Sequence, residues 1–175
     1  MVTERTGIIK YAGQEQTIVG DDIQVGQKAP NFTIQKNDWS LSKGMKVTAR
    51  KVRIILSVPS LDTPVCDRET RRFNEEAGKL GKGIAVLVVS MDLPVAQKRW
   101  CGAAGVDQVM VLSDHQNAEF GEKYGVLVKE RRTLRRAVFV VGRDDKIVYA
   151  AYMPSSSVEP NYEEALEAAK KALIA

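Results

Sequence analysis

Two apolar runs constrain this chain more than any other feature. The first closes the segment "KVRIILSV", where Ile54, Ile55, Leu56 and Val58 follow almost without interruption. The second is "GIAVLVVSMD", Gly83 to Asp92. Near-continuous apolar runs suit strands covered on both faces, as in parallel sheets. Between them lies a charged, helix-forming stretch from Val65 to Leu80. Strand, helix, strand is a crossover unit, and its right-handed closure leaves few topologies open.

The rest of the chain extends that unit. "TGIIKYAGQEQTIVG" reads as a hairpin turning near Gly13 and Gln14, and "APNFTIQ" as a short strand. The segment Lys46 to Val58 reads as one long strand. After the second run, "LPVAQKRWCGAAG" is a short helix with Pro94 near its start and a glycine stop. "VMVLS" is a strand, "NAEFGEKYG" a helix, and "RRAVFVVGRDDKIVYAAYM" a hairpin turning at Arg143, Asp144 and Asp145. "NYEEALEAAKKALIA" is a closing helix capped by Asn161. The order predicts an α/β fold: one domain over residues 1–175, with a central mixed sheet flanked by helices and an N-terminal hairpin added. A chain of 175 residues with 44% hydrophobic and 27% charged side chains can build its core without disulfide staples.

Composition removes several functions. The net charge is only +4, and the densest basic patch, "KERRTLRR" from Lys129 to Arg136, contains no aromatic residue. Nucleic-acid binding is not indicated, and the patch reads as a solvated loop leading into a strand. No apolar run approaches the ~20 residues of a membrane span. "MVTERTGIIKYAG" lacks the plan of a signal peptide, so the expected location is the cytoplasm. Two cysteines 35 residues apart are not a C-x-x-C pair, and with the single His115 they cannot make a four-ligand zinc site. In a reducing compartment they are not a static staple. No metal, organic cofactor, membrane or nucleic acid is implied.

Cys66 stands where the first apolar strand hands over to its helix, in "PSLDTPVC", Pro59 to Cys66. Ligands of open α/β sheets bind beyond such strand ends. Thr63 is a candidate N-cap and Pro64 fills the first helical position. Free N–H groups and the positive end of the helix dipole then favour thiolate over thiol at Cys66. The alternative is a buried, inert cysteine acting as a small hydrophobe. Thr63 can bring its hydroxyl to the sulfur, cap the helix, or both. Pro59 stiffens the strand exit. His115, in "SDHQNAEF", reads as an exposed loop residue with nothing to orient it as a base, which disfavours a Cys–His hydrolase. Cys101, in "KRWCGAAG", is a reactive thiol or a packed helix residue, and the adjacent Trp100 reads as packing.

The pattern Pro59-x-x-x-Thr63-x-x-Cys66 resembles the peroxiredoxin active-site motif. With "RRFNEEA" after it, the stretch is similar to the thiol peroxidase subfamily, atypical two-cysteine peroxiredoxins. "SMDLPVAQKRWCGAAG" resembles the segment carrying that subfamily's resolving cysteine, and the later helices and hairpin agree along essentially the whole chain. Val58 departs from it where many relatives carry an aromatic, and "SKGMKVTARKVRI" is longer and more basic than usual. The resemblance implies a thioredoxin-like fold and reduction of peroxides by Cys66 through a sulfenic acid. It implies resolution by Cys101 as an intramolecular disulfide, re-reduction by thioredoxin or a similar dithiol protein, and a homodimer. It names Thr63, the Cys66 N–H and an arginine as donors to the leaving oxygen. Among Arg131, Arg132, Arg135 and Arg136, the alignment points to Arg136; Arg135 and Arg136 should face opposite sides of a strand. Two other readings use the same residues: a redox sensor or holdase that oxidises once, and an α/β module with inert thiols.

Overall fold

The computed structural model describes residues 1–175. Its centre is the crossover unit expected from the two apolar runs: β5 (Val52–Ser57), α2 (Pro64–Leu80) and β6 (Ile84–Ser90), with β5 and β6 parallel and paired from Val52↔Ile84 to Ser57↔Val89. α3 (Pro94–Ala104) crosses to β7 (Met110–Ser113), parallel to β6. β10 (Ala137–Val141) adds antiparallel beside β5, and β11 (Ile147–Tyr152) beside β10. On the other edge β3 (Thr33–Gln35) and β4 (Leu41–Lys43) complete a seven-stranded mixed sheet of order β11-β10-β5-β6-β7-β3-β4.

Alternation along the strands sorts two cores. Ile55, Leu87, Val89, Phe139 and Val141 face one side, with Phe32, Phe120 and Tyr124 packed over them. Ile54, Leu56, Val86, Val88, Val138 and Val140 face the other, against Phe73 of α2 and Ala165, Leu166 and Ala169 of α5 (Tyr162–Ile174). Cys66 belongs to this second core, and Trp100 and Cys101 of α3 pack against it. Asn161 caps α5 as expected, accepting from the Glu164 N–H at 3.2 Å.

Two segments differ from their sequence reading. Lys46 to Val58 is not one strand: α1 (Gly44–Val47) comes first, and Arg50, at φ 64°, turns the chain into β5. Arg53 explains the break. Its guanidinium is buried and donates to the Met45 carbonyl (3.1 Å), the Thr48 hydroxyl (3.0 Å) and the Gly142 carbonyl (3.1 Å). The Met45 and Thr48 acceptors are available only if the chain coils before the strand begins. The basic patch is not a plain loop either. It forms a tight hairpin of β8 (Leu127–Val128) and β9 (Thr133–Leu134). This hairpin continues the N-terminal one, β1 (Glu4–Tyr11) and β2 (Gln14–Val19), in a four-stranded sheet of order β1-β2-β8-β9. Glu130 accepts from the Thr17 N–H (2.9 Å) and hydroxyl (2.6 Å), which staples the two hairpins together.

α4 (Glu119–Lys123) places Phe120 in the first core, where its ring stacks on Tyr124 at 4.6 Å and meets Phe32 edge-on at 4.9 Å. Truncating so enclosed a ring leaves a cavity. Phe120→Ala should lower the unfolding free energy by about 3–5 kcal/mol in urea titrations, with little change in slope.

Candidate active site

Pro64 occupies the first position of α2 because its missing N–H has no helical partner to lose. The first helical bond runs from the Asp67 N–H to the Thr63 carbonyl, 2.9 Å, so the N–H groups of Val65 and Cys66 remain free at the positive end of the helix. Cys66 lies in this turn with 0% of its surface exposed. Thr63 takes the N-cap position with extended backbone, but its hydroxyl does not cap. It turns back and donates to the Ser60 carbonyl at 2.8 Å. With its proton committed there, the Thr63 oxygen is left as an acceptor, not the donor expected from the sequence.

Arg136 reaches the sulfur from the head of β10. Ser57 and Ala137 are register partners across β5 and β10, and the Ser57 hydroxyl donates to the Arg135 carbonyl at 2.8 Å. This pins the strand start and sends the two arginines to opposite faces. Arg135 stacks over Tyr152, 4.9 Å from the ring centre. Arg136 donates through Nη2 to Cys66 Sγ at 3.1 Å, through Nη2 (2.9 Å) and Nε (3.2 Å) to the Ser156 carbonyl, and through Nη1 to Glu69. Burial works against the charge of Arg136, but Glu69 and Cys66 beside it outweigh that and push the guanidinium up.

Glu69 was not singled out in the sequence. It stands three residues after Cys66, hence on the same face of α2, and that spacing was the available signal. It is completely buried and Oε1 has no partner. Burial pushes its carboxyl up to about 7, against the pull of Arg136. A second residue missed in the sequence is Asp92, after β6. Its Oδ2 accepts from the Leu61 N–H (3.0 Å) and the Ser90 hydroxyl (2.6 Å), and its Oδ1 from the Ser60 hydroxyl (3.1 Å). Asp92 therefore ties the loop leading to Cys66 to the loop leading into α3.

Pro59, Thr63, Val65 and Arg136 border one cavity of about 370 Å³. Cys66 lies behind this wall, and Arg136 spans the sulfur and the cavity. Cys101 is elsewhere: half-buried within α3, its thiol pushed up by burial. Neither cysteine is in a disulfide. α2 and α3 are held together beside them. Arg71 donates to the Ala104 carbonyl at 3.0 Å and to Asp67 at 2.8 Å, and lies over the Trp100 ring at 5.9 Å. His115 is exposed on a turn.

The family model described as Redoxin matches residues 24–166. This chain belongs to the redoxin family. The redoxin is 50% identical to a thiol peroxidase of Halalkalibacterium halodurans over 94% of this chain and 98% of that protein. It is 49% identical to the thiol peroxidase of Bacillus subtilis over 93% and 96%. Its fold matches that of a peroxiredoxin-like protein from Aquifex aeolicus with a TM-score of 0.85, 38% identity and 98% coverage of both chains. The fold is thioredoxin-like, and this redoxin is a peroxiredoxin-type peroxidase.

Glu69 gives a pH dependence with a defined sign. Its carboxyl rises from 4.5 to about 7 in the folded chain, so the folded state binds more protons between those values. Its contribution favours folding most below pH 4.5 and is lost as pH rises through 7. Unfolding free energies of Glu69→Gln minus those of the parent should therefore increase from pH 4.5 to pH 7.5. A flat difference would show an unshifted carboxylate.

Proposed function

We propose that Cys66 is the peroxidatic residue of this peroxidase and Cys101 its resolving partner, in one working unit over residues 1–175. The observation that carries the reading is the 3.1 Å contact from Arg136 to Cys66 Sγ at the open end of α2. Cys66 thiolate attacks one oxygen of hydrogen peroxide or an organic hydroperoxide. That oxygen stays on sulfur as sulfenic acid. The O–O bond breaks, and the other oxygen leaves with the electron pair and takes up a proton, as water or an alcohol. Charge grows on this leaving oxygen. Arg136 and the free Cys66 N–H are fixed in advance to meet it, which is where donors act most strongly. The Thr63 oxygen accepts from the peroxide O–H and orients it, and Pro59 walls the approach.

Cys101 thiolate then attacks the sulfenic sulfur, the S–O bond breaks, hydroxide leaves and takes up a proton from solvent as water, and an intramolecular disulfide forms. A disulfide requires Cα atoms about 4.4–6.8 Å apart. Cys66 sits in the first turn of α2 and Cys101 in the last turn of α3, with the Arg71 and Asp92 ties between the helices, so these two turns unwind locally during this step. Closing the loop stabilises the oxidised chain by roughly 3–4 kcal/mol in the chain-entropy account, less any strain. Thioredoxin or a similar dithiol protein reopens it by mixed-disulfide exchange. The family resemblance further carries a homodimer and a cytoplasmic antioxidant role.

Intact mass after one equivalent of hydrogen peroxide tests the assignment. The parent should lose two hydrogens as a monomer, Cys101→Ser should gain one oxygen, and Cys66→Ser should not change. Unchanged mass in the parent would sink the assignment. Arg136→Gln should slow oxidation by roughly 10²–10³, measured in single turnover. A redox sensor would oxidise in the same way yet fail to cycle with a dithiol reductant.

A further inference from the structure

The cavity beside Cys66 is far larger than hydrogen peroxide requires. Its volume of about 370 Å³ compares with roughly 30 Å³ for one water and roughly 300–1,000 Å³ for pockets that enclose organic ligands. The active-site loop supplies only one wall. The opposite wall comes from the second sheet: Tyr11 at the end of β1, Arg131 in the β8–β9 turn, and Thr133 of β9. No carboxylate lines the cavity, and its two charged residues are Arg131 and Arg136.

These arginines are in different states. Arg136 is engaged by Glu69, Cys66 and Ser156. Arg131 forms no salt bridge in the structure. Its guanidinium stacks on the Tyr11 ring, 4.1 Å from the centre, which orients the group while leaving its charge unneutralised. Its acidic neighbour Glu130 is turned to Thr17, and Lys129 is paired with Glu4. The turn is thus anchored just before Arg131 and closed just after it by the Arg132 N–H on the Val128 carbonyl (2.9 Å), and the cation stands at the cavity with its donors free.

We propose that this cavity is a subsite for organic hydroperoxides that carry a carboxylate, with Arg131 as the residue that reads the charge. The proposal rests on Cys66 being the peroxidatic residue. The peroxide end meets Cys66 and Arg136, the apolar body lies along Pro59, Pro64 and Val65, and the carboxylate meets the Arg131 fork. The N-terminal hairpin and the basic patch then have a task in substrate selection. The reaction stays the two-electron reduction described above; Arg131 takes no part in bond breaking.

Three matched probes test this: cumene hydroperoxide, its para-carboxylate, and the methyl ester of that carboxylate. Reduced protein is mixed with each in single turnover, without any reductant, and oxidation of Cys66 is followed by quenched intact mass. The carboxylate should oxidise the parent about tenfold faster than its ester, as a partly screened charge-assisted contact provides. That ratio should narrow in 0.5 M salt, fall to about one in Arg131→Gln, and invert in Arg131→Glu. A parent ratio near one, or an Arg131→Gln protein that keeps the parent ratio, would overturn the proposal. Failure of all three probes, and of hydrogen peroxide, to oxidise Cys66 would instead remove the assignment of Cys66 and the subsite with it.

Discussion

The active end of this protein depends on one buried cation. Arg136 is almost inaccessible to water, and a buried guanidinium is tolerated only when its donors are used. Cys66, Glu69 and the Ser156 carbonyl use them. The partners arrive from two places: successive turns of α2 and the loop after β11. Losing any one leaves charge uncompensated in the core, so these elements are held to a common geometry. The same requirement gives the sulfur a fixed positive neighbour, and catalysis by preorganised charge needs such a neighbour. In the proposed mechanism, stability and reactivity draw on the same contacts.

The second constraint is the linkage between the two cysteine-bearing helices. Asp92 holds the Ser60–Leu61 loop, and Arg71 joins the first turn of α2 to the last carbonyls of α3. These are polar ties at the rim, while the helix bodies pack through apolar side chains on the second core. Polar ties of this kind open at modest cost compared with core packing. A disulfide between α2 and α3 requires opening at the first turn of α2 and the last turn of α3, and not in the sheet. The distribution of contacts suits that division: a rigid seven-stranded platform carrying two end-segments that can rearrange.

Much of the fold was legible from periodicity. The buried strands β5, β6 and β10 announce themselves as unbroken apolar runs because both faces are covered, and Pro64, Pro94 and Asn161 mark helix starts by simple backbone chemistry. The misses have one cause. β8 and β9 are two residues each, shorter than any period can register, and the pairing of β8 with β2 is made across more than a hundred residues. The coiling at α1 is imposed by Arg53, whose acceptors come from separate segments. Thr63 was recognised by position, yet the direction of its hydroxyl depends on where the Ser60 carbonyl lies.

The sequence by itself determined the crossover sheet, the place of Cys66 at the mouth of a helix, and the spacing that makes the chain resemble a peroxiredoxin. Those features follow from local rules: side-chain period, capping and the fixed geometry of proline. Tertiary structure alone decided that Glu69 is sealed beside the sulfur and that Arg131 stands free over Tyr11 at the cavity. The reason is physical. Burial and the pairing of charges are properties of surfaces brought together by the whole fold, and no local pattern encodes which surface will be opposite.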